Sequence, residues 1–132
     1  MSEIRQCVFS GSPFEGLIGF ARAVRVGDFI VVSGTAPIGP DGNTIGRGDA
    51  YIQSGRCLEI IQLALRQLGA SLEDVIRTRV YLVDMDDLDK VAQSHHEAFG
   101  EILPASTFIR VSGLVDPDWL VEIEADAMMG AE

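Results

Sequence analysis

The sequence predicts an α+β domain in which two helices cover one face of a mixed sheet. Three observations predict it. Residues alternate apolar and polar over 75–83 and 119–129; apolar residues recur at helical spacing over 57–68 and 88–99; and these periods follow in the order β-β-α-β-α-β-β.

The first two strands are the short β-rich runs Ala21–Val26 and Phe29–Ser33, joined at Gly27 and Asp28 by a tight hairpin turn. The stretch Pro37 to Gly48 reads PIGPDGNTIGRG, turn chemistry centred on Pro-Asp-Gly, and is expected as a loop or hairpin within one domain. From Asp49 the period changes. Cys57, Ile60, Ile61, Ala64, Leu65 and Leu68 form one helical stripe, which stops at Gly69. Gly55 weakens the early turns of that helix by up to ~1 kcal/mol relative to alanine.

Ser71 to Asp74 has the spacing of a capping box opening one short turn. Val75–Val83 then alternates, with Ile76, Thr78, Val80 and Leu82 on one face and Arg77, Arg79, Tyr81 and Val83 on the other. Asp84, Asp86, Asp87 and Asp89 crowd the next segment, where a helix N-terminus favours negative charge, and Leu88, Val91, Ala92, His95 and Phe99 form its stripe ahead of Gly100. Leu103 and Pro104 break the chain, Thr107–Val111 makes a strand, Val115 to Asp118 turns, and Trp119–Met129 makes the last strand.

A chain of 132 residues with 47% hydrophobic content is the size of one domain, expected here over 1–132. Folding at this length buries roughly two-thirds of the unfolded surface, enough to stand without disulfides or a structural metal. Cys7 and Cys57 fit no disulfide framework and no zinc-ligand spacing, and a reducing cytoplasm is the expected compartment. No run approaches the ~18 consecutive apolar residues of a membrane span, and Met1–Gln6 carries Glu3 and Arg5 with no apolar region behind them, so neither membrane insertion nor export is expected. His95 and His96 are adjacent rather than four apart, so they do not put two imidazoles on one helical face, and no metal is expected.

Twenty acidic residues against ten basic ones leave a net charge of −10. Nucleic-acid binding draws most of its affinity from neutralised phosphates, so this balance argues against DNA or RNA partners. Nine of the ten cations are arginine, Lys90 being the exception. Arginine suits bidentate carboxylate pairs in clefts, which makes these residues candidates for holding an anion, against the plainer reading as solvated surface charges.

In each strand the more apolar set should meet the helices: Ile76, Thr78, Val80 and Leu82; Thr107, Ile109 and Val111; Val121, Ile123, Ala125 and Ala127. The other face then carries Arg77, Arg79 and Tyr81, with Ser106, Phe108 and Arg110, and with Glu122, Glu124 and Asp126. Helices on one side leave that face bare. Phe108, Tyr81, Leu120 and Met128 on it predict burial against another subunit, hence a homo-oligomer.

Four segments, RAVRVGDFIVVSG (Arg22–Gly34), LGASLEDVIRTRVYLVDMDDL (Leu68–Leu88), HEAFGEILPASTFIRV (His96–Val111) and LVEIEADAM (Leu120–Met128), resemble the RidA/YjgF family, also named for a liver perchloric-acid-soluble protein. The resemblance implies a chorismate-mutase-like α+β fold. It also implies a homotrimer whose sheets pack into a central barrel, with small-molecule clefts between subunits. The implied chemistry is hydrolysis of reactive enamines and imines, such as 2-aminoacrylate or 2-iminobutyrate, to a 2-keto acid and ammonia, with no metal or organic cofactor.

That chemistry leans on an arginine directly after the Pro-Ala dipeptide, and here the position is Ser106. Serine offers a hydrogen bond but no charge, so the charge-assisted clamp on a substrate carboxylate is missing. Other positions depart too. The family's cleft tyrosine falls on Phe20 and its glutamine on Arg22, the residue after Val32, Ser33 and Gly34 is Thr35, and a frequent cysteine is Phe108. Glu122, first acid of the EIEA run, is kept. The resemblance therefore places the candidate ligand site at Phe20, Arg22, Ser33, Gly34, Thr35, Ser106 and Phe108, with Glu122 as the candidate activator of water, and strand parity adds Arg110, which points to the same side as Ser106 and Phe108.

Three readings follow. In the first, the cleft binds a different small metabolite, with Arg22, Arg79 or Arg110 supplying the anion contact; Arg110 lies about 13 Å along the strand from Ser106 and serves only a displaced or longer ligand. In the second, the protein is a deaminase acting on a substrate that needs no clamp at Ser106 or that brings a second carboxylate to Arg22, and Glu122 polarises the attacking water. In the third, it is a non-catalytic trimer that binds metabolites or proteins. Ribonuclease action, attached by name to some relatives, fails on charge and on the lack of a paired histidine or lysine constellation near a basic groove.

Overall fold

The computed structural model describes residues 4–130. The expectation for Met1–Gln6 falls partly on residues 1–3, which lie outside the described residues. The strands are β1 (Arg5–Val8), β2 (Ala23–Val26), β3 (Phe29–Thr35), β4 (Val75–Leu82), β5 (Ala105–Arg110) and β6 (Val121–Met128), and the helices are α1 (Ala50–Gln67) and α2 (Leu88–Phe99). They form one six-stranded sheet in the order β1-β2-β3-β6-β4-β5. Strands β4 and β5 pair in parallel, a geometry that needs a crossover, and α2 supplies it. The last strand, β6, runs antiparallel to both β3 and β4 and joins the two halves.

Local chemistry sets the helix ends. The Asp49 side chain accepts from the Ile52 amide at 3.1 Å and starts α1, and Gly69, at φ 85°, takes the left-handed conformation that ends it. Ser71 and Asp74 form both bonds of a capping box, and Asp84 accepts from the Asp86 amide at 2.9 Å in the turn leading into α2. Among the described residues no helix is long and apolar enough to cross a membrane.

The core lies between the helices and one sheet face. Cys57, Leu58, Ile61, Ala64 and Leu65 of α1 and Val91 and Phe99 of α2 pack with Val80, Leu82, Val121, Ile123, Ala125 and Ala127. Each fully buried Leu, Ile or Val is worth about 1.5–3 kcal/mol in transfer free energy, and the regular alternation of β6 follows from it.

Three expectations about faces are corrected. The register of β4 shifts between Val75 and Arg77, so Val75 is buried and Ile76 is turned outward, 42% exposed. In β5, Ser106, Phe108 and Arg110 pair with Thr78, Val80 and Leu82 and share their helix-side face, while Thr107 and Ile109 take the open face beside Arg79 and Tyr81. β5 is an edge strand whose two faces are both largely exposed, so burial does not impose the apolar alternation there. Leu120 packs against the core rather than on the open face. The face that remains carries Arg77, Arg79, Tyr81, Glu122, Glu124, Asp126 and Met128.

One irregularity positions the site. Val32 pairs with Ala125 but Thr35 pairs with Ile123, so β3 holds one extra residue at Ser33 and Gly34.

Candidate functional site

A cavity of about 460 Å³ opens at this bulge. Its walls come from the segment Ser10 to Phe20, the end of β3, the loop Ala36 to Pro40, Arg56 and Ile60 of α1, Val115 and Trp119, and Glu122 and Glu124 of β6. Phe14 meets Trp119 edge-on at 5.7 Å between ring centres. Six of the residues singled out from sequence line the cavity: Phe20, Arg22, Ser33, Gly34, Thr35 and Glu122.

Arg22 is buried and is held through its Nε and Nη1. Its Nε donates to Glu15 Oε2 at 3.0 Å, and its Nη1 donates to Gly34 O and to Thr35 Oγ1 at 3.2 Å. Glu15 is buried in turn and accepts from the amide and the hydroxyl of Ser10. It stands in a single π-helical turn, Glu15–Gly19. A guanidinium so held already has a carboxylate partner before any ligand arrives, while its positive field still reaches Glu122. The Phe20 ring lies 5.3 Å from the same guanidinium. Ser33 and Thr35 are also spent internally, donating to Ala21 O and Ser33 O at 2.7 and 2.8 Å.

Glu122 is the exception. It makes no hydrogen bond or ion pair with any described residue, and burial raises its pKa, with Arg22 opposing the shift and Glu124 adding to it. Gly34 makes its position possible, since a Cβ there would lie 2.5 Å from Glu122 Oε1. Glu124, by contrast, accepts from Tyr81 Oη at 2.8 Å and pairs with Arg79 at 3.3 Å, while Arg79 also reaches Asp126 at 3.6 Å. Arg79 is therefore committed as well.

Ser106, Phe108 and Arg110 do not line this cavity. Ser106 Oγ accepts from Thr78 Oγ1 at 2.7 Å, and Thr78 Oγ1 lies 2.9 Å from His95 Nε2, on the helix side of the sheet. Phe108 packs edge-on against His95 at 5.5 Å, and Arg110 is exposed. Burial lowers the pKa of His95. Cys57, the buried thiol, is pushed far up by burial and is no nucleophile. Among the described residues no three His, Cys, Asp or Glu side chains gather as metal ligands.

Sequence reasoning missed Glu15, Trp119 as a wall, and Arg56, whose Nε donates to Ile38 O at 2.9 Å and which pairs with Glu59. A signal for Glu15 was present: a lone acid among Phe14, Leu17 and Ile18 needs a cation if that segment packs. Chemically, the cavity offers one unpaired carboxyl of raised basicity inside walls that mix aromatic and aliphatic side chains with serine, threonine and arginine groups.

Comparison with known proteins agrees with this architecture. The sequence pattern of the family described as Endoribonuclease L-PSP matches residues 12–129. The uncharacterized protein SCO2049 of Streptomyces coelicolor is 40% identical over 130 residues, covering 98% of this chain and 96% of that one. The 3-aminoacrylate deaminase RutC of Acinetobacter baylyi is 34% identical over 111 residues, 84% of this chain and 87% of its own. The crystal structure of Rv2704 from Mycobacterium tuberculosis, a member of the YjgF/YER057c/UK114 family, superposes with a TM-score of 0.86 at 42% identity, covering 96% of this chain and 100% of that one. The chain belongs to the RidA/YjgF family, the family described as Endoribonuclease L-PSP.

Proposed function

We propose that this protein is a hydrolytic deaminase of small enamines or imines, working as a homotrimer with its substrate in the cavity beside Glu122. The observation that carries this reading is Glu122 itself: an unpartnered, half-buried carboxyl of raised pKa on the wall of a ligand-sized cavity. Such a group accepts a proton from water near neutral pH better than an ordinary surface glutamate. An anion-holding role for arginine finds less support, because Arg22 and Arg79 are already paired and Arg110 lies elsewhere.

In the proposed reaction Glu122 takes a proton from water as the oxygen adds to the C=N carbon and passes it to nitrogen, giving a carbinolamine, then takes the hydroxyl proton of that intermediate and passes it to nitrogen as the C–N bond breaks. Water supplies the oxygen, ammonia leaves, and no metal or organic cofactor is required. The named activity of RutC, 34% identical, is a precedent for the class of reaction.

Val26, Phe29, Val31, Ile109 and Met128 leave apolar surface on the open sheet face, which supports burial against other copies and clefts between them. In that assembly the edge strand β5, with Ser106, Phe108 and Arg110, is free to approach a neighbour's cavity. We place the single domain in the cytoplasm, without nucleic-acid or membrane partners.

The test is ammonia release from 2-aminoacrylate, 2-iminobutyrate and other imines generated in situ. Acceleration over the protein-free rate that Glu122→Gln abolishes supports the reading. No acceleration with any imine, by protein that melts cooperatively, overturns it.

A further inference from the structure

The charged groups on the cavity wall are cancelled one by one. Arg22 meets Glu15 at 3.0 Å, with only 5% and 3% of the two side chains exposed. Arg56 is matched by Glu59 and holds Ile38 O, and Glu124 is matched by Arg79 at 3.3 Å. Only Glu122 has no partner among the described residues, and it is an acid.

A ligand carboxylate entering here loses its hydration and finds, on the wall that one protomer supplies, no cation without an acidic partner. It also approaches Glu122, whose like charge opposes it. Stripping an anion of water without a counter-charge is among the costliest moves in an apolar site. A protonated imine nitrogen meets the opposite situation. It gains a charge-assisted hydrogen bond from Glu122, while its apolar body packs on Phe14, Phe20, Ile38 and Trp119, and the aromatic faces themselves favour a cation.

We infer that the buried Glu15–Arg22 pair turns this cavity away from 2-imino acids and toward imines and enamines that carry no carboxylate, with an apolar body and a neutral or cationic nitrogen. This inference rests on the deaminase reading above and narrows its substrate. In the balanced step a protonated imine and one water give a carbonyl compound and an ammonium ion, with one positive charge on each side. The C=N bond is replaced by C=O, Glu122 passes the two protons of the water to nitrogen, one as the oxygen adds and one as the C–N bond breaks, and nothing is oxidised or reduced. The product is a neutral aldehyde or ketone rather than a 2-keto acid. The class of reaction that supplies such a substrate is the two-electron oxidation of a primary amine. Glu15 touches no substrate; it acts through Arg22 as a positioning residue that sets specificity.

A matched pair of substrates tests this. An amine oxidase acting on phenethylamine and an amino-acid oxidase acting on phenylalanine, each with catalase, produce imines that differ only by the carboxylate. Release of ammonia is followed with and without the wild-type protein. The expected result is an acceleration at least about tenfold larger for the amine-derived imine, and a shift of that ratio toward the imino acid by about tenfold in Glu15→Gln, which uncovers the charge of Arg22. If Glu15→Gln does not fold, the wild-type comparison decides alone. Equal or faster hydrolysis of the imino acid overturns the inference and leaves the deaminase reading standing. Acceleration of neither imine overturns both.

Discussion

Gly34 and Glu122 face each other across the bulge between β3 and β6, and a methyl group at Gly34 would stand 2.5 Å from Glu122 Oε1. The atom in the way is the far end of a flexible side chain, so the fold yields easily and the carboxyl moves. Gly34→Ala is expected to leave the melting temperature nearly unchanged while lowering kcat/KM about 10–100-fold, the cost of misplacing a proton-transfer group by an ångström. Parallel melting curves and imine hydrolysis rates check it; an unchanged rate would show that the carboxyl position does not matter.

The Glu15–Arg22 pair predicts a non-additive stability pattern. Arg22→Met leaves the Glu15 carboxylate buried beside Ser10 without its cation, and removing one partner of a buried pair typically costs about 3–5 kcal/mol. Adding Glu15→Gln removes the orphaned charge, so the double variant should recover a large part of the loss. Urea unfolding of the single and double variants measures the coupling. Additive losses would show that the pair is not a unit.

His95 links stability to pH. Burial holds its pKa below the ordinary 6.5, so the folded state favours the neutral ring. The stability it contributes is fully present above 6.5 and is lost as the pH falls from there through the lowered value. His95→Gln retains a polar partner for Thr78 and should flatten the fall in melting temperature between neutral pH and about pH 5. An equally steep fall in the variant would place its origin elsewhere.

Assembly is read from the open face, where Val26, Phe29 and Met128 lie in one row of paired residues. A trimer of 14.3 kDa chains is expected by light scattering, and Phe29→Glu is expected to shift the mass toward a single chain. A wild-type mass of one chain would remove the proposed clefts between subunits.

How much of the molecule is legible in the sequence depends on burial. Helices α1 and α2 and strand β6 show themselves because each buries one regular face, as Cys57, Ile61 and Leu65 or Val121, Ile123 and Ala125 record. Strand β5 does not, because an edge strand with Ile109 42% exposed obeys no face rule, and alternation alone puts Ser106 on the wrong side. β1 pairs only through four residues at the other edge and carries no periodic signal. In the candidate site, Glu122 and Gly34 can be named from sequence because the resemblance carries them. Glu15 cannot, because its burial depends on a cation that packing brings to it from β2's approach at Arg22; only its isolation in an apolar run hints at it.

The most direct measurement of the central claim is the pH dependence of imine hydrolysis by the wild type and Glu122→Gln. A carboxyl raised by burial is a competent base only above its shifted pKa, so the catalysed rate should rise with pH through a value above the ordinary 4.5, and the variant should lose that limb with a fall in rate of about 10²-fold or more. A variant with the wild-type rate and the wild-type profile would contradict the account.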